Sequence, residues 1–161
     1  MRRAIIFFAA VLILAVVNFE IYKKEQLLTE GSTILLELTP VDPRSLMQGD
    51  YMILRYKIAS LVEAAGVGRN GFLVLIVDEN QVANFVRIYQ GKELQPNEFL
   101  LQFRKRSRGI NLGSESFFFQ EGQAHLYSQA SYGEIKVAEN GESVLIGLRD
   151  KDFNQLPHDE K

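Results

Sequence analysis

Few side chains in this sequence could carry chemistry. The 161 residues include two histidines and no cysteine. Thiolate catalysis, disulfides and cysteine-ligated zinc or iron–sulfur sites are therefore excluded. His125 stands alone in a short stretch with helical spacing, and His158 lies in the C-terminal tail. Neither has a second histidine at ligand spacing, so no metal and no cofactor are expected. Gly66-Val67-Gly68 lacks the lysine and the other glycines of a phosphate loop and reads as a turn. What remains is carboxylate chemistry. Asp50 and Glu121 could serve as a general acid/base pair on sugars or peptides, provided that their carboxyl groups meet across one cleft at about 5–10 Å.

The residues around Asp50 form the densest cluster of unusual types, Asp42-Pro43-Arg44-Ser45-Leu46-Met47-Gln48-Gly49-Asp50-Tyr51. Two readings stand side by side. In the structural one, Pro43 sets its own φ and biases Asp42 toward extended geometry. Asp42 or Ser45 caps a helical turn, Gly49 permits a tight approach to the next strand, and Asp50 accepts from neighbouring amides. In the functional one, Arg44, Asp50, Tyr51, Tyr56 and Glu121 face a ligand or partner. Ser45 to Tyr51 also resembles the Thr-Leu-x-x-Gly-Asp stretch of type I signal peptidases. The nucleophilic serine of that family would fall at Val41, which has no hydroxyl, so the resemblance carries no peptidase mechanism.

The elements that must position these residues are mostly strands. Ile34, Leu36 and Leu38 alternate as a half-buried strand ending at Pro40. Met52, Leu54, Tyr56 and Ile58 share one face of the next strand, opposite Tyr51, Ile53, Arg55 and Lys57. Phe72–Val77 is continuously apolar and reads as a central strand, with Val82–Tyr89 as its hairpin partner. Phe99, Leu101 and Phe103 alternate in a further strand. Ser116-Phe117-Phe118-Phe119 is a short aromatic strand stopped by Glu121-Gly122. Gln123–Ala130 allows two turns of helix, and Leu61–Ala65 one turn. Ile135 and Val137 pair with Val144, Ile146 and Leu148 across an Asn140-Gly141 turn. Seven or eight strands with one or two short helices predict a mainly β domain over residues 33–150, either a sandwich or a partly open barrel. A polar, disordered tail is expected over 151–161.

The N-terminus reads as an address. Ala4–Val17 has no polar residue, and a helix over residues 4–22 would span roughly 28 Å at ~1.5 Å per residue, enough to cross a hydrocarbon core. Ala15-Val16-Val17 offers no small-x-small cleavage site, which favours an uncleaved signal anchor over 1–24, followed by a linker over 25–32. Arg2 and Arg3 favour a cytoplasmic N-terminus against the opposing pull of Lys23 and Lys24, placing the β domain outside the cytoplasm. Of the net charge of −2, residues 1–24 hold +3 and the remainder −5. That remainder has no basic field, so nucleic acid is not an expected partner. The one basic run, Arg104 to Arg108, reads as a solvated strand end, with anionic head groups or an acidic partner as the sharper alternative.

Gly49, Asp50, Tyr51, Leu54 and Tyr56 match the motif of the bacterial GDYxxLxY family, and Pro40–Leu46 resembles that family's PVDPRSL lead-in. Phe117–Gly122 resembles its aromatic-Phe-Val-Pro-Glu-Gly block, with Phe119-Gln120 in place of valine and proline. The resemblance spans roughly residues 1–150. It implies a single-pass envelope protein of the bacterial inner membrane, acting as an accessory subunit of a multi-span membrane protein. Asp50, Tyr56 and Glu121 become interface candidates, Gly122 joins the structural motif, and no catalytic residue is transferred. The alternatives are a carboxylate-dependent envelope hydrolase using Asp50 and Glu121, and a purely structural β module.

Overall fold

The computed structural model describes residues 2–39, 51–64, 66–107 and 109–157, with side chains described from Ile6 onward. The chain starts with a single helix, α1 (Arg2–Glu30). No glycine or proline interrupts it until Gly31. The end is steric. The Gly31 amide donates to the Leu27 carbonyl at 3.0 Å, and a Cβ on Gly31 would lie 2.4 Å from that oxygen. The expected linker over 25–32 is therefore mostly helix. Leu27, only 4% exposed, gives the last turns a tertiary contact, and that contact outweighs the polar character that read as fraying.

The remaining strands are β1 (Ser32–Glu37), β2 (Tyr51–Ile53), β3 (Asn70–Val77), β4 (Ala83–Ile88), β5 (Glu98–Arg106), β6 (Gly109–Asn111), β7 (Ser116–Phe118), β8 (Tyr132–Val137), β9 (Ser143–Arg149) and β10 (Gln155–Leu156). A short helix, α2 (Lys57–Ala64), follows β2, and a 3-10 turn spans Ala124–Tyr127. The strands form two antiparallel four-stranded sheets, in the orders β1-β8-β9-β10 and β4-β3-β5-β6, and a two-stranded ribbon β2-β7. Leu35 joins the two large sheets. It bridges Val82 in parallel, and its amide donates to the Gln81 carbonyl at 2.8 Å. Ile34, Leu36, Leu73, Leu75, Leu101, Phe103, Ile135 and Leu148 from both sheets share one core. The domain is mainly β, as the alternation predicted.

Five local differences stand out, and the first four have physical causes. Leu35 is buried as well as Ile34 and Leu36, because β1 is covered on both faces rather than one. The alternating face Met52, Leu54, Tyr56 and Ile58 is buried throughout, yet the backbone turns helical at Lys57. Ile58 and Val62 then keep the inward face at helical i,i+4 spacing. A bulge between Glu134 and Ile135 in the β8–β9 ladder puts Leu145 against the core and leaves Ile146 38% exposed, so the strict alternation over Val144, Ile146 and Leu148 is broken. The described part of the expected polar tail is ordered. β10 pairs with β9, Leu156 is buried, and Asp150 Oδ1 accepts from the amides of Asp152 and Asn154 at 2.8 and 2.9 Å. The stretch 123–130 forms a single 3-10 turn rather than two helical turns.

Candidate functional site

The two sequence blocks that drew attention, around Tyr51–Tyr56 and Phe117–Gly122, are neighbours in space. β2 pairs antiparallel with β7, with Tyr51 opposite Phe118, Met52 opposite Phe117 and Ile53 opposite Ser116. The ladder continues where the Leu54 amide donates to the Glu115 carbonyl at 2.7 Å. Strand alternation sorts the side chains. Met52, Leu54 and Tyr56 go to the core. Phe117 and Phe119 pack on the Tyr127 ring with centroids 4.9 and 5.6 Å away. The outer face keeps Tyr51, Ile53 and Phe118.

Tyr56 is 2% exposed and lies inside the domain, so it is not available to a partner, contrary to its placing among the interface candidates. Its hydroxyl donates to the Ser114 carbonyl at 2.6 Å across 58 positions of sequence. Burial is the main reason that its phenol ionises well above the ordinary range; the hydrogen bond to Ser114 opposes the shift, and the Glu115 charge adds to it. The ring lies against Gly133, where an added Cβ would be 2.9 Å from Cε1 and 3.0 Å from the hydroxyl oxygen. The Ser114 loop is itself tied down. The Leu112 and Gly113 amides donate to the Glu115 carboxylate, and Ser143 Oγ donates to the Leu112 carbonyl at 3.2 Å. Ser114 Oγ is buried and has no hydrogen-bond partner among the described residues.

The outer face of the ribbon is apolar at its centre and polar at its edge. Phe118 is 73% exposed and Ile53 43%. The Tyr51 and Phe118 rings lie 5.7 Å apart, a tilted pair on the same side of the ladder. Arg55, Ser116, Gln120 and Glu121 are exposed around them. Gly122, at φ +81°, makes the turn after Glu121 that a side chain would strain. A concavity lies away from the ribbon, between the last turns of α1, the start of β5 and the β8–β9 hairpin. Lys23, Glu30, Glu139 and Glu142 help to line it, and none of the sequence candidates does.

Of the candidate binding residues, Tyr51 lies on this exposed face, Glu121 is exposed just beyond β7, and Tyr56 supports the ribbon from within. Asp42, Pro43, Arg44, Ser45, Gly49 and Asp50 lie outside the described residues, so the Asp50–Glu121 pair has no geometry to test it. Leu54 is buried in the same core as Tyr56. Phe118, Ile53, Ser114 and Gly133 were not singled out. One signal for Phe118 was present: three consecutive aromatics in a strand cannot all face inward. No local signal marks Gly133, because its reason is a ring from a distant strand.

The profile of the GDYXXLXY protein family matches residues 13–148. Neither the curated proteins nor the solved structures contain a match.

Proposed function

The chain belongs to the GDYXXLXY protein family, and on that premise we propose that it is a membrane-anchored accessory module that docks on a multi-span membrane protein. One observation carries the reading. The apolar part of α1 is uncovered along its length, and the helix runs unbroken into the β domain. By length and composition it could cross a bilayer. An apolar helix with no protein against it calls for lipid or for another helix, and its length and all-round apolar surface support lipid. The exposed aromatic ribbon supports a binding role for the domain. In this reading α1 enters the bilayer through residues 4–22, the membrane is the bacterial inner membrane, and the domain stands outside the cytoplasm. Purification of the full chain in mild detergent should co-recover a polytopic protein in stoichiometric yield. Repeated recovery of the chain alone would count against the proposal. No observation on the described residues favours the hydrolase reading.

A further inference from the structure

We infer that the outer face of the β2–β7 ribbon is the docking surface, and that its occupant is an extramembrane segment of a second integral membrane protein in the same bilayer. The inference rests on the membrane-anchored reading above and adds where contact is made and why the partner must share the membrane.

Three observations combine. The first is the exposed face itself, with Tyr51, Ile53 and Phe118 at its centre and the exposed polar residues Arg55, Gln120 and Glu121 just beyond the strand ends. An apolar aromatic centre with a polar edge is the usual anatomy of a protein interface. The second is its height. β1 leads away from α1, since its first residue pairs with Val137 beside the helix end and its last with Tyr132. Leu38 then bridges Tyr56, and the Thr39 amide donates to the Arg55 carbonyl at 2.7 Å, so the ribbon sits at the end remote from α1. The six residues of β1 separate it from the helix terminus by up to roughly 20 Å at ~3.3 Å per residue. The third is rigidity. Leu27 is buried in the domain, Lys136 Nζ donates to the Gly31 carbonyl at 2.9 Å, and Lys24 pairs with Glu142 at 3.8 Å. The helix therefore holds the ribbon at a set height and direction and does not trail it on a tether.

Area decides the kind of partner. Three side chains on a short ribbon present on the order of a few hundred Å², well under the roughly 800 Å² per partner of a stable complex. A soluble protein would bind such a patch only weakly. A partner confined to the same bilayer meets it at a high effective concentration, which can strengthen association by about 10²–10⁴ without further contacts. Confinement helps only while the height is kept, which gives the rigid helix–domain junction a use.

The test places a photo-crosslinking phenylalanine analogue at position 118 of the full chain in intact membranes and identifies the linked peptide by mass spectrometry. The expected product joins position 118 to an extramembrane segment of another integral membrane protein. A flexible Gly/Ser insert of about seven residues between Glu30 and Gly31 should lower its yield at least about tenfold. Linkage to a soluble protein or to a second copy of this chain overturns the inference, as does a yield that the insert leaves unchanged. If detergent purification still recovers a polytopic protein while position 118 links to nothing, the docking surface is overturned and the accessory-module reading stands. If neither appears, both fall. Phe118→Ser should match the parent chain in melting temperature and lose the co-purified protein. Retained co-purification would likewise overturn the surface.

Discussion

Tyr56 shows how a residue that looks functional can be architectural. A tyrosine in a motif invites a binding role, and its spacing from Tyr51 does not say which of the two faces outward. The structure puts Tyr51 on the outer face and Tyr56 in the core, with its hydroxyl on the Ser114 carbonyl. Tyr56→Phe should cost about 1 kcal/mol, the net worth of one buried hydrogen bond, measured by denaturant unfolding. The same variant has a pH signature. A phenol whose folded ionisation lies above its unfolded value of about 10 contributes stability that is fully present below pH 10 and is lost as the pH rises from there toward the folded value. Tyr56→Phe should therefore soften the alkaline fall in melting temperature above pH 10; an unchanged alkaline limb would contradict the assignment. Gly133→Ala should be destabilising by roughly 1–3 kcal/mol, since its methyl group would press on the Tyr56 ring.

Among the elements, the C-terminal strands depart furthest from expectation. Residues 151–157 are polar and carry little periodicity, so they read as a tail. They are held by contacts that only the folded chain supplies. Arg149 donates from Nε and Nη2 to the two Glu134 oxygens at 3.1 and 2.7 Å and from Nη1 to the Phe153 carbonyl at 2.9 Å. Phe153 stacks on Tyr132 with centroids 5.1 Å apart. The Glu134 hydrogen bond is the main reason that the Arg149 guanidinium is held even more firmly in its charged form. Glu134 is buried, so Arg149→Met would strand its carboxylate. The expected loss is about 3 kcal/mol, read by denaturant unfolding. A double variant Glu134→Leu with Arg149→Met should recover much of it, because no buried charge is then left unpaired.

On the scale of the whole molecule, the orientation proposed for the helix and domain is argued from charge at both ends of α1. Arg2 and Arg3 oppose Lys23 and Lys24, and the proposed orientation keeps the two arginines on the cytoplasmic side. A C-terminal reporter active only outside the cytoplasm should be active, and one active only inside should be silent; the reverse pattern would invert the topology. The sequence by itself determined the apolar helix, the mainly β class and the family, since each is a matter of composition, period or contiguous motif. It also showed that the aromatic strand would be short. Only the tertiary structure decided that the two motif blocks share one ribbon, that Phe118 faces out and Tyr56 in, that the last turns of α1 contact the domain, and that 150–156 is ordered. Each of these rests on contacts between residues distant in sequence or on a register shift such as the β8–β9 bulge. A side-chain period reports which residues share a face of one strand; it carries no information about which strand or ring will lie against that face.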